Sequence, residues 1–66
     1  MKALSGKEMC KLLEENDWIF RKIEGSHHIY TKPGRRERLS VPVHGNQSFK
    51  KGLQHNMLKT ANIEIT

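Results

Sequence analysis

Gly25-Ser26 constrains this chain more than any other feature. The pair separates two runs rich in β-formers, Trp18 to Glu24 and His27 to Lys32, and a two-residue Gly-X loop between such runs closes a hairpin through a type II′ turn. The turn dictates register. Glu24 then faces His27 on one side of the ribbon and Ile23 faces His28 on the other. Apolar residues occur on both sides, so the spacing leaves open which side is core. Pro33-Gly34 breaks the second run and a short basic loop follows. Leu39, Val41 and Val43 then alternate with Arg38, Ser40 and Pro42 as a third strand, an edge strand or one ending near Pro42, which has no N–H to donate.

The segments flanking these strands read as helices. Ser5 can accept from the Glu8 amide while Glu8 reaches back, and Leu4 can staple onto Met9, so a first helix starts at Ser5 and runs to about Glu15. Met9, Leu12 and Leu13 make its apolar stripe, and Asn16-Asp17 supplies the stop. A second helix is predicted over Lys51 to Ala61, burying Leu53, Met57, Leu58 and Ala61, with Asn62 as a left-handed cap. The order is αβββα. A three-stranded antiparallel sheet with both helices on one face is the simplest way to bury two amphipathic stripes.

A chain of 66 residues makes one domain, 1–66, and hides only about 60% of the surface its unfolded form exposes. A deep cofactor pocket is therefore not expected. Cys10 is the only cysteine, which excludes an internal disulfide framework and a CxxC zinc knuckle and points to the cytoplasm. The first residues do not read as a signal peptide, and no run approaches the ~20 apolar residues of a membrane span.

Charge is unevenly spread. Residues 1–17 carry three lysines against four acids, whereas residues 18–66 carry nine basic groups against three acids. A basic surface of this kind meets polyanions, and the clusters Arg35, Arg36 and Arg38 and Lys50-Lys51 are the candidate phosphate contacts. A merely solvated face is the plainer alternative.

Four histidines, two of them adjacent, are the distinctive chemistry. A zinc site is disfavoured, because His27 and His28 point to opposite faces on a strand and no pair has the i, i+4 spacing of a helical zinc motif. Cys10 falls beside an apolar stripe and reads as a small, partly buried hydrophobe rather than a nucleophile. Ribonuclease chemistry fits better. RNA carries its own nucleophile in the 2′-OH, so a protein need only take that proton, protonate the leaving oxygen and hold a cation near the phosphate.

Read together, Gly25-Ser26-His27-His28-Ile29-Tyr30, Val41-Pro42-Val43-His44-Gly45-Asn46, Lys50-Lys51-Gly52 and Leu58-Lys59-Thr60-Ala61-Asn62-Ile63 resemble the HicA family of toxin mRNA interferases over nearly the whole chain. The resemblance implies a double-stranded-RNA-binding-domain-like αβββα fold, cofactor-free and metal-independent cleavage of mRNA, and neutralisation by a HicB-type antitoxin. It places the catalytic role on His27, after the Gly-Ser pair, with His28 second because a one-residue shift at the turn would exchange them. The chain departs from the family pattern at Lys32, where many relatives carry a His, at Leu53 in place of a common Thr, and at Asn62 in place of Gly. Rival functions on the same fold are a non-catalytic RNA-binding module and an inactive toxin kept for binding its antitoxin.

Overall fold

The computed structural model describes residues 3–63. The element order is α1 (Gly6–Glu15), β1 (Ile19–Glu24), β2 (His27–Thr31), β3 (Arg38–Pro42) and α2 (Lys51–Ala61), the expected αβββα. Helix α1 begins with a capping box. The Glu8 amide donates to Ser5 Oγ at 3.2 Å and the Ser5 amide donates to Glu8 Oε1 at 2.9 Å, so two otherwise orphaned N–H groups are satisfied. Asn16 caps its C-terminus and Asp17, at φ 70°, turns the chain toward the sheet.

The sheet is antiparallel in the order β1-β2-β3. Gly25 has φ +63° while Ser26 stays out of the left-handed region, which fits the II′ turn, and Glu24 pairs with His27 as the turn requires. At the other end of β2 the Arg35 amide donates to the Lys32 carbonyl at 3.0 Å across Pro33-Gly34, with Gly34 at φ +82°. Pro at the first and a positive φ at the second central position are the requirements of a type II turn.

The pairing produces five cross-strand rows. Ile23–His28–Val41 and Phe20–Tyr30–Leu39 face one side; Glu24–His27–Pro42, Lys22–Ile29–Ser40 and Ile19–Thr31–Arg38 face the other. Tyr30, Leu39 and Val41 join Met9, Leu13, Trp18, Met57 and Leu58 in the core, so the His28 side is the helix-covered one. This settles what the spacing left open. Gly6 seats α1 on the end of β3, where an added Cβ would lie 2.7 Å from the Pro42 carbonyl oxygen.

Three sequence expectations are corrected. Trp18 lies outside β1, buried between the helices and the sheet, with its Nε1 donating to the Ala61 carbonyl at 3.4 Å. β3 ends at Pro42, as the missing N–H of that residue predicts, but Val43, read as part of the strand, lies beyond it and packs on the core while its amide donates to the Ser26 carbonyl. In α2, Leu53 is 46% exposed and Gln54 takes the buried place. Leu53 lies one position, or 100° of helical rotation, from Gln54, and the Gln54 side chain satisfies a polar group that leucine would leave orphaned: its Oε1 accepts the Leu4 N–H. Asn62 adopts the expected left-handed cap, φ 60° and ψ 41°.

Candidate active site

His27 is the first residue of β2 and stands exposed on the open face. Its strand neighbours are Glu24 and Pro42. The Lys22 ammonium lies 3.0 Å from Glu24, and this contact, with the charges of Arg38 and His27, holds the Glu24 carboxyl below the usual range. The adjoining Arg21 donates from Nε to Thr31 Oγ1 at 2.7 Å, at a bulge where β1 slips register against β2. Arg21, Lys22, His27 and Arg38 thus cluster around one open face. Sequence reasoning missed Arg21 and Lys22, although the hairpin register that places Glu24 opposite His27 places Lys22 on the same face two residues away.

The structure divides the other candidate basic residues. Arg35 is bound into the fold: one guanidinium nitrogen donates to the Thr60 carbonyl at 2.8 Å, Nε donates to Glu37 at 2.9 Å, and the group lies over the Trp18 ring at 5.8 Å. A cation there also meets the negative end of α2. Lys50 and Lys51 stand at the opposite end of that helix, roughly 14 Å away at 1.5 Å per residue. Lys50 lines a shallow cleft with Pro42, His44, Phe49 and Leu53, and Pro42 is the β3 neighbour of His27. Lys50 and His27 therefore border the same part of the surface. Arg36 and Arg38 are exposed, Arg38 on the His27 face.

His28 occupies a different setting. It is half-buried on the covered side, its ring 5.8 Å from that of Phe20 and its Nδ1 3.9 Å from Cys10 Sγ. Tyr30 donates its hydroxyl to Glu14 at 2.6 Å beside them. Burial, with Glu14 close by, raises the Cys10 thiol above its ordinary range, and burial and the Glu14 hydrogen bond raise Tyr30. Both remain protonated at neutral pH, so the Cys10–His28 contact does not supply a thiolate. Among the described residues, no three His, Cys, Asp or Glu side chains converge as a metal site, and no helix is long and apolar enough to cross a membrane.

Comparison with known proteins decides the family. The family model described as the HicA toxin of bacterial toxin–antitoxin matches residues 6–63. The chain belongs to the HicA toxin family. It is a toxin of a toxin–antitoxin system, and that membership spans all five elements from α1 to the cap of α2. A search of the curated proteins finds no match. The HicA match brings the Gly-Ser-His turn, the open basic face and the Lys50 end of α2 within one family domain, and an antitoxin is the partner that such a toxin implies.

Proposed function

We propose that this HicA toxin is a cytoplasmic endoribonuclease that cleaves mRNA without a metal ion and is neutralised by a HicB-type antitoxin. The observation that carries the reading is His27, presented by a tight turn at the start of β2 and exposed on a face that also carries Lys22 and Arg38, on a domain of the HicA family. His27 exchanges protons with the reacting groups. The ribose 2′-OH loses its proton and attacks the adjacent phosphorus, and the P–O bond to the 5′ oxygen of the next nucleotide breaks as that oxygen takes a proton. The products are a 2′,3′-cyclic phosphate and a 5′-hydroxyl. Lys50 borders the phosphate at His27, and Arg38, four residues along the sheet, extends the contact along the strand with Arg36 and Lys51. Arg35 holds the loop that carries Arg36 and leads into Arg38 at the start of β3. An antitoxin that covers His27 and these cations, with an acidic or polar surface of its own, blocks access.

The test is RNA cleavage in the presence of EDTA. Wild type is expected to cleave, and His27→Ala to lose about 10²–10⁴-fold in rate while keeping its fold and most of its RNA affinity. His28→Ala is the milder change, and His44→Ala and His55→Ala stay active. A folded, active His27→Ala beside a dead His28→Ala moves the site to the covered side. Activity in both removes the histidine mechanism, and RNA binding without any cleavage favours the non-catalytic module.

A further inference from the structure

Lys7, Cys10, Lys11 and Glu14 recur at i, i+3, i+4 and i+7, so they form one stripe of α1, beside the stripe of Met9 and Leu13 that enters the core. That stripe faces the outer half of the hairpin. Because it carries two lysines instead of large apolar groups, α1 does not close on β1, and an open cleft of about 370 Å³ separates them. The opposite wall is a cross-strand aromatic set. Phe20 meets Tyr30 edge-on at 5.7 Å and His28 at a tilt at 5.8 Å. Neither neighbour lies parallel to Phe20, and the residue is 44% exposed. The Tyr30–Glu14 hydrogen bond spans from one wall to the other.

An exposed aromatic ring opposite two lysines is the combination that receives a single-stranded nucleotide: the ring stacks on the base and the ammonium groups meet its phosphate. We propose that this cleft is a seat for one unpaired nucleotide of the RNA, with the base on Phe20 and a phosphate at Lys7 and Lys11. The proposal rests on the ribonuclease reading above and deepens it. His27 and His28 are consecutive, with Cα atoms about 3.8 Å apart, yet they point to opposite faces of the hairpin. A strand that passes over the Gly25-Ser26 turn thus reaches both sides: its scissile phosphate at His27 and a flanking nucleotide in the cleft. The cleft holds substrate and the open face performs the reaction. His28 and Tyr30 keep the Phe20 ring in place.

The experiment uses a short single-stranded RNA carrying 2-aminopurine, first bound to the His27→Ala protein so that it stays intact. Phe20→Leu, which keeps an apolar side chain in β1 but removes the ring, is expected to abolish the change in 2-aminopurine emission and weaken binding about 5- to 100-fold. Lys7→Ala with Lys11→Ala is expected to flatten the dependence of log K on log salt by about one unit. In the otherwise wild-type enzyme, Phe20→Leu should raise KM while kcat stays within about twofold. Unchanged emission and affinity in a folded Phe20→Leu protein would overturn the seat, as would loss of antitoxin binding with RNA binding intact. A fall in kcat without a rise in KM would make the cleft the reaction site and likewise overturn it. If wild type neither binds nor cleaves RNA, the ribonuclease reading fails and the seat fails with it; cleavage by wild type with an indifferent cleft defeats the seat alone.

Discussion

The two faces of the sheet share one backbone and do opposite work. On the covered face Tyr30, Leu39 and Val41 are buried with Met9 and Leu13, and the identity of each side chain is fixed by packing. On the open face each row carries a charged residue, Glu24, Lys22 or Arg38, at one end, and only Ile29 in the middle strand is buried, outside the helix-facing core. Cover is also uneven across the sheet. All six residues of β1 are exposed, including Ile23 at 56%, whereas β3 buries Leu39 and Val41. His27 stands where the backbone is held by pairing to both neighbouring strands while the side chain remains free. A one-residue step along β2 separates a histidine in water from one lodged against Cys10.

Four substitutions sharpen that contrast. Leu13→Ala, in the fully buried stripe of α1, should cost about 2–5 kcal/mol in denaturant unfolding. A loss below about 1 kcal/mol would mean that the covered face does not carry the stability. Next, Arg35→Ala should cost about 1–2 kcal/mol through its bond to the Thr60 carbonyl and its place over Trp18, while Arg38→Ala on the open face stays within about 0.5 kcal/mol and instead weakens RNA binding at low salt. Equal stability losses in the two arginine variants would erase the division between a structural and a binding cation. Ser5→Ala should cost about 1 kcal/mol through loss of the capping box, with cleavage per folded molecule unchanged. Full stability in that variant would place the start of α1 elsewhere.

Much of this was legible because it is local. The Ser5–Glu8 box, the Gly25 turn, the Pro33-Gly34 stop, the bounds of α2 and the Asn62 cap each rest on residues within a few positions of one another. What escaped depends on partners far along the chain. Gln54 is buried because residue 4 offers it a hydrogen bond, and Arg35 is committed because α2 ends beside Trp18. The nearness of Cys10 and His28 required knowing which side of the hairpin α1 covers. The candidate site followed the same rule. His27 was visible at a turn and Lys22 followed from the same register, while the company of Arg21 and Lys50 arose from a bulge and from the neighbouring cleft that Pro42 shares.

The pairing of Ser5 with Ser48, the Phe49 amide donating to the Leu4 carbonyl at 2.9 Å, and the Leu4–Gln54 bond together close a ring of about fifty residues. Such a closure carries a larger entropic cost than the four-residue turn of the hairpin, so the hairpin is expected to form first and the ring to close late. Contacts made after the folding barrier has been crossed leave the folding rate nearly untouched and slow the reverse process. Weakening the Leu4–Gln54 ring is therefore expected to shorten the life of the folded molecule, and weakening the hairpin that bears the two histidines to delay its formation.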